Sequence, residues 1–320
     1  MDRTLLETAF ADMIGDGAAR LGEPMAAHTT FRIGGPADML VEPRSEGELR
    51  LAYARCRDLG APVFTLGLGS NVLVADRGLR GVVVKVAGAF SAIRIDGEDG
   101  ADDALLSVEA GASNAQVAEA ACAAGLAGYE FASGIPGTVG GAAVMNAGAY
   151  GGEFADVATS VRCLAPDGSL VEVPAEDAGW GYRRSMMGDA GLVVLGAALR
   201  LARDPEGPRA VRARMDDLAR RRAEKQPLEL PSAGSTFKRP EGHFAGKLVQ
   251  DAGLRGFRIG GAQVSEKHTG FVVNAGGATA DDVRRLIAEV RRRVREASGV
   301  TLEPEVRMWG FEEPFGDGAL

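Results

Sequence analysis

Cysteine is scarce in this chain: Cys56, Cys122 and Cys163 are odd in number and far apart. That excludes a disulfide framework and fits small buried side chains in a reducing compartment. Histidine is as rare, and His28, His243 and His268 lack the spacing of metal ligands, so no metal is expected. No run reaches the roughly 18–20 apolar residues of a membrane-spanning helix. The N-terminal Met-Asp-Arg-Thr-Leu-Leu-Glu-Thr has no basic stretch followed by an apolar one, so no signal peptide is read. A net charge of −8, with both signs mixed along the chain, leaves no basic stripe for nucleic acid. The expectation is a cytoplasmic protein with neither a membrane nor a nucleic-acid partner.

Glycine is what the chain holds in excess, 45 residues in 320, without the every-third period of collagen. Gly134, Gly137, Gly140, Gly141, Gly148, Gly151 and Gly152 are packed into residues 134–153, GIPGTVGGAAVMNAGAYGGE. A flexible linker would be poor in apolar groups, yet Ile135, Val139, Ala142, Val144 and Met145 are interleaved and Pro136 fixes one φ. The stretch reads as a tight, buried wrap of backbone around a ligand. Its amide N–H groups suit an anionic or carbonyl-rich molecule.

Length favours two domains. Apolar spacing over 4–14 predicts a helix, and 38–42 a strand. Ser45 and Glu48 open a helix to about Leu59, and 62–66 is a second strand, giving a β-α-β start. Further strands are read over 72–74, 82–86, 104–109 and 192–201. A helix starts at Ser113, and 157–173 forms a hairpin about Pro166-Asp167-Gly168. Residues 203–208 mix Pro, Gly and charge and mark the boundary. Beyond it come a charged helix over 209–224, a helix at 244–252, strands near 258–264 and 270–274, a helix at 281–297 and a strand over 300–307.

Two glycine motifs are rejected as dinucleotide or triphosphate loops. Gly67-Leu68-Gly69-Ser70-Asn71 is followed by Val72 where a Rossmann loop has its third glycine, and strands follow rather than a helix. The loop still offers Ser70, Asn71 and free N–H groups to a pyrophosphate, although an ordinary hairpin turn reads equally well. Gly242 to Lys247 is one residue short of a P-loop, with Leu248 in place of its hydroxyl.

Five segments together are specific: TFRIGGPAD at 30–38, GLGSNVLV at 67–74, SGIPGTVGGAAVMNAGAYGGE at 133–153, YRRS at 182–185 and KQPLELPSAGSTFKRP at 225–240. With GGAQVSEKHTGFVVN at 260–274 and LEPEVR at 302–307, the chain resembles the UDP-N-acetylenolpyruvoylglucosamine reductases, or UDP-N-acetylmuramate dehydrogenases, from about residue 28 to 310. It is similar to the shorter subtype, which lacks an inserted substrate-covering loop with its tyrosine.

The resemblance implies an α+β protein: an FAD-binding fold of the vanillyl-alcohol oxidase/PCMH type over 1–204, in two α+β subdomains, and a C-terminal α+β UDP-sugar-binding domain over 205–320. It implies FAD as cofactor, NADPH as co-substrate, a monomer, and a cytoplasmic step of peptidoglycan synthesis. Arg32, Gly67, Gly69, Ser70, Asn71, Gly134, Gly137, Thr138, Gly140, Gly141 and Ala142 would bind FAD. Tyr182, Lys225, Lys238, Lys267 and His268 would meet the UDP-sugar, whose diphosphate needs local cations on an acidic protein.

By matching motif positions, Arg183 would stabilise the substrate carboxylate, Ser235 give a proton and Glu305 assist Arg183. The chemistry demands such groups. Hydride on the vinyl carbon drives negative charge into the neighbouring carbon and carboxylate, so cationic or acidic hydrogens and a proton source must be in place. From the residues alone, Arg183 and Arg184 read equally as a surface pair, Ser235 as a cap, and Glu305 with Arg307 as a plain ion pair. Two other readings stay open: an oxidase of the same flavoprotein fold, and a flavin-binding nucleotide-sugar sensor without activity.

Overall fold

The computed structural model describes residues 2–88, 90–96 and 101–312; the expected outer ends of the two domains, Met1 and Leu320, lie outside the described residues. Helices α1 (Arg3–Ala9) and α2 (Ala11–Gly15) lead into β1 (Ala19–Pro24), β2 (Pro36–Val41), α3 (Glu46–Asp58), β3 (Val63–Leu66), β4 (Val72–Val74) and β5 (Leu79–Lys85). The helix expected over 4–14 is two, broken at the fully buried Phe10, which closes α1 and opens α2. A sheet in the order β1, β2, β5, β3 carries the β-α-β start, with β2 and β3 both parallel to β5. β1 was not foreseen. It is an edge strand with Leu21 as its one large apolar residue, so it shows no alternation.

A second stretch holds β6 (Ile93–Asp96), β7 (Asp103–Glu109), α4 (Asn114–Ala123), β8 (Leu126–Ala127), α5 (Val139–Met145), β9 (Gly148–Ala149), β10 (Gly152–Glu153), β11 (Ala158–Leu164), β12 (Leu170–Pro174), α6 (Met186–Asp189) and β13 (Val193–Arg203). Its main sheet runs β12, β11, β13, β7, β6, antiparallel throughout, with β8 on β13. α5 corrects the reading of 134–153 as a continuous wrap. Thr138 caps it by accepting from the Gly141 N–H, and Asn146 closes it in the left-handed conformation, φ 41°. Gly140 lets this helix close on the sheet, since a Cβ there would sit 3.1 Å from the Ala110 Cβ.

Then follow α7 (Pro208–Lys225), α8 (Ala245–Asp251), β14 (Arg258–Ile259), β15 (Ala262–Val264), β16 (Val272–Asn274), α9 (Ala280–Ser298) and β17 (Arg307–Trp309). α9 buries Val283, Leu286, Ile287, Val290 and Val294 on one stripe against the β14, β15, β16 sheet. The strand expected over 300–307 forms only at its end and then pairs parallel with β4, 235 residues upstream at Arg307 and Val72. The packing is interleaved around the expected boundary. Val211 and Met215 of α7 join the N-terminal core, while Phe31, Ile33 and Leu73 join the core of α9. Asp76 reinforces the seam by accepting from the Ala280 and Asp281 N–H groups, 2.8 and 2.9 Å, at the start of α9. No helix among the described residues is long and apolar enough to cross a membrane.

Candidate active site

Both sheets, α5 and β17 border a cavity of about 1630 Å³, above the roughly 300–1,000 Å³ of an ordinary small-molecule pocket. Two backbone loops, residues 67–71 and 134–138, border it and touch each other. Their approach requires glycine at 67, where a Cβ would lie 2.6 Å from Thr138 Oγ1, while Gly69 is required by a third segment, since a Cβ there would lie 2.1 Å from the His28 carbonyl. The N–H groups of Gly67, Leu68, Gly69, Ser70 and Asn71 donate to no protein acceptor among the described residues. Consecutive free amides on a cavity wall make an anion cradle. The side chains of Ser70 and Asn71, expected to offer themselves to that anion, are otherwise engaged. Ser70 Oγ donates to Pro136 O at 2.9 Å and Asn71 Nδ2 to Glu305 O at 3.2 Å, so they brace the cradle.

Arg183, Ser235 and Glu305 come together at one end of this cavity. Arg183 Nε donates to Glu305 Oε1 at 2.7 Å, and its terminal nitrogens to the carbonyls of Asn146 and Gly148. It stands at φ 59°, rare for a residue with a side chain, at the tip of a turn closed by the bridge between Gly181 and Arg184. Glu305 is tied beside Ser235 by its N–H, which donates to the Thr236 carbonyl at 2.8 Å. Burial pushes the Glu305 carboxyl above the ordinary carboxylate range, an effect that Arg183 partly offsets. The plain ion pair with Arg307 is not formed; Arg307 instead reaches Met145 Sδ at 3.6 Å. Ser235 is exposed to the cavity rather than capping a helix.

The same three residues also wall a second pocket of about 380 Å³, shared with Tyr182, Arg239, Lys247, Arg255, Lys267 and His268. Its cations converge from separate elements. Arg239 stacks on the exposed Phe244 ring at 4.1 Å, Lys267 Nζ donates to Ala223 O at 2.6 Å, and burial pushes the His268 imidazole down, toward its neutral form. Two expected diphosphate ligands line neither space. Lys225 is exposed at the last turn of α7, and Lys238 is drawn into an ion pair with Glu303. Arg239, Lys247 and Arg255 line the wall instead, Lys247 while paired with Asp251 one turn along α8; Lys247 sits in the glycine stretch rejected as a P-loop, and the density of cations there is the available signal. Arg32, at φ 55°, and the expected glycines, with Thr138 and Ala142, all border the larger cavity.

Comparison with known proteins agrees with this geometry. The FAD binding domain family matches residues 37–174, and the C-terminal domain of UDP-N-acetylenolpyruvoylglucosamine reductase matches 226–309. The protein called UDP-N-acetylenolpyruvoylglucosamine reductase in Agathobacter rectalis is 50% identical over 316 residues, covering 95% of this chain and 99% of the relative. The one in Syntrophomonas wolfei is 46% identical over 301 residues, covering 94% and 98%. The chain belongs to the UDP-N-acetylenolpyruvoylglucosamine reductase family. The crystal structure of such a reductase (MurB) from Thermus caldophilus superposes with a TM-score of 0.76 at 36% identity, covering 91% of this chain and 98% of that one. The α+β FAD-binding fold of the vanillyl-alcohol oxidase/PCMH type is therefore the fold found, with FAD as cofactor of an oxidoreductase.

FAD fits the larger cavity of this reductase fold: an amide cradle for a diphosphate, and the glycine-rich start of α5 leaving room for a ring system. Gly141 and Gly140 separate cofactor contact from packing. A Cβ on Gly141 would meet nothing nearer than Thr138 Oγ1 at 3.7 Å, so it projects into the cavity, whereas one on Gly140 presses on Ala110. Gly141→Val is expected to purify folded but depleted of flavin, and Gly140→Val to lose thermal stability as well. Flavin content and melting temperature check both; full flavin occupancy in Gly141→Val would remove this face of α5 from the cofactor site.

Proposed function

We propose that this protein reduces the enolpyruvyl ether of UDP-N-acetylenolpyruvoylglucosamine to the lactyl ether of UDP-N-acetylmuramate, with electrons from NADPH, as a cytoplasmic monomer in peptidoglycan precursor synthesis. One observation carries the reading. Arg183, Ser235 and Glu305 form the wall shared by the FAD-sized cavity and the cation-lined pocket. A UDP diphosphate held by Arg239, Lys247, Arg255 and Lys267 would direct its sugar and enolpyruvyl group to that wall. The amides of 67–71, with Gly134, Gly137, Thr138, Gly141 and Ala142, would hold FAD.

Bound FAD supplies the hydride that the vinyl carbon receives. Arg183 faces the carboxylate into which the resulting charge spreads, and its guanidinium, already fixed by Glu305 and two carbonyls, needs no reorganisation. Ser235 delivers the proton to the second carbon, so hydride and proton together saturate the double bond. Glu305, whose carboxyl burial raises above its ordinary range, would in its protonated form donate a hydrogen bond to the developing enolate, and it holds Arg183 in place. NADPH enters by the same opening before the substrate, in keeping with the missing Rossmann motif.

The test is NADPH oxidation by the purified holoprotein. The expected result is consumption matching the enolpyruvyl UDP-sugar added, and little without it. Oxygen-dependent turnover of a sugar with no NADPH consumed would replace the reading with an oxidase. Tight binding of the UDP-sugar with no NADPH oxidation would make the protein a sensor.

A further inference from the structure

Ser235 has a position but no hold of its own. It faces the two pockets, and neither its N–H nor its hydroxyl bonds to protein among the described residues. Where its Oγ stands therefore follows from the backbone on either side. Downstream the chain is pinned at once, because Thr236 exchanges hydrogen bonds with Gly270, Glu305 and Val272. Upstream stands Gly234 at φ 74°, where an added Cβ would meet nothing within 4 Å. Such a glycine neither packs nor resists rotation. The hold on that side must come from beyond it.

It comes from Thr30, 202 residues from Ser232 in the chain, whose Oγ1 donates to the Ser232 carbonyl at 2.6 Å. The Thr30 N–H donates to the Gly69 carbonyl at 3.1 Å, with Gly69 O also a longer second acceptor for the hydroxyl at 3.4 Å. Gly69 lies in the middle of the amide cradle, and its close approach to His28 seats it on the Thr30 segment. The next residue joins the other side. Phe31 is buried in the core of α9, and its carbonyl accepts from Asn274 Nδ2 at 3.2 Å. Asn274 in turn donates its N–H to Pro231 O at 2.8 Å, next to Ser232. Thr30 is thus half-buried where the cradle loop and the loop of Ser235 meet, and it bonds to both. A β-branched side chain suits such a link, because its χ1 is stiff. Thr30 precedes both family matches, 37–174 and 226–309.

We propose that Thr30 is a positioning residue for proton transfer: its hydroxyl ties the Ser232–Ser235 loop to the 67–71 cradle and so sets where Ser235 Oγ stands at the end of the larger cavity. The inference rests on Ser235 being the proton source and on FAD occupying that cavity. It gives the segment ahead of the first sheet's parallel strands a part in the second half-reaction.

The test uses Thr30→Val, which keeps the shape and the backbone N–H but not the hydroxyl donor. Reoxidation of the reduced flavin by the enolpyruvyl UDP-sugar should slow about 10-fold, while flavin reduction by NADPH and FAD affinity, read by flavin fluorescence, stay within about twofold. Thr30→Ser should restore most of the rate. In a Ser235→Ala background Thr30→Val should add almost nothing, because the group it positions is gone. A crystal structure of Thr30→Val should show residues 232–235 displaced and Thr236 in place. Equal slowing of both half-reactions, or a loss that multiplies with that of Ser235→Ala, would make Thr30 a general brace. A fall in FAD affinity would make it a flavin ligand, and an unmoved loop or unchanged reoxidation would leave it no part in proton transfer. Each of these overturns the proposal. If Thr30→Val does not fold, Thr30→Cys, a weaker donor, takes its place in the same comparison. Reoxidation unaffected by Ser235→Ala would instead refute the reading beneath, since that change removes the proton source itself rather than what positions it.

Discussion

Ser235→Ala is expected to leave reduction of the bound flavin by NADPH almost intact and to slow its reoxidation by the enolpyruvyl UDP-sugar by about 10²–10⁴-fold, the usual contribution of a general acid. A serine hydroxyl is a weak acid, so it can protonate only a strongly basic carbon, which exists only after hydride has arrived. The substitution should be quiet structurally. The backbone beside Ser235 is fixed by Thr236, whose N–H donates to Gly270 O, whose carbonyl accepts from Glu305 N–H and whose Oγ1 accepts from Val272 N–H. Ser235 itself only faces the two pockets. Ser235→Cys should recover part of the rate, because a thiol is a stronger acid of similar size. Stopped-flow absorbance of each half-reaction checks this; equal slowing of both would mean that Ser235 shapes the pocket, and the proton source would lie elsewhere.

What the chain makes legible divides along physical lines. Elements that declare themselves within one stretch were readable: the Ser45 cap of α3, the Ser113 and Gln116 capping box of α4, the stripe of α9, and the 164–170 turn, where Gly168 takes φ 90°. Elements defined by a distant partner were not. β17 is set by pairing with β4, the edge strand β1 has no apolar alternation to reveal it, and β6 alternates over only the four residues Ile93–Asp96. α5 was hidden because glycine lowers helix propensity, and only the sheet contact at Ala110 and the Thr138 cap show why a helix forms there. The site divides in the same way. Motif positions led to Arg183, Ser235 and Glu305, but Arg239, Lys247 and Arg255 come together in one wall only through the fold. Lys225 and Lys238 show the converse: a cation in a motif-rich stretch can face solvent or a neighbouring glutamate.

Arg183→Met is expected to lower turnover of the enolpyruvyl UDP-sugar by about 10²–10³-fold, the cost of removing one preorganised group that meets developing charge. Arg183→Lys should recover little. A lysine has one ammonium, whereas the guanidinium spans Glu305 and the carbonyls of Asn146 and Gly148 at once. The pH dependence gives the pair a signature. Burial raises the Glu305 pKa and Arg183 opposes that rise. The acting form in this mechanism is the protonated one, present below the folded-state pKa and lost as pH climbs through it, so activity should fall on the alkaline side. Removing Arg183 takes away the opposing influence, so the pKa rises further and the residual activity of Arg183→Met should hold to higher pH than in the wild type. Glu305→Gln, a permanent neutral donor, should flatten that limb and keep more activity than Glu305→Asp, which shortens the reach. Rate profiles against pH for the three variants decide it. A limb that moves to lower pH in Arg183→Met, or a Gln variant weaker than Asp, would mean that Glu305 acts as the carboxylate and serves only to orient Arg183.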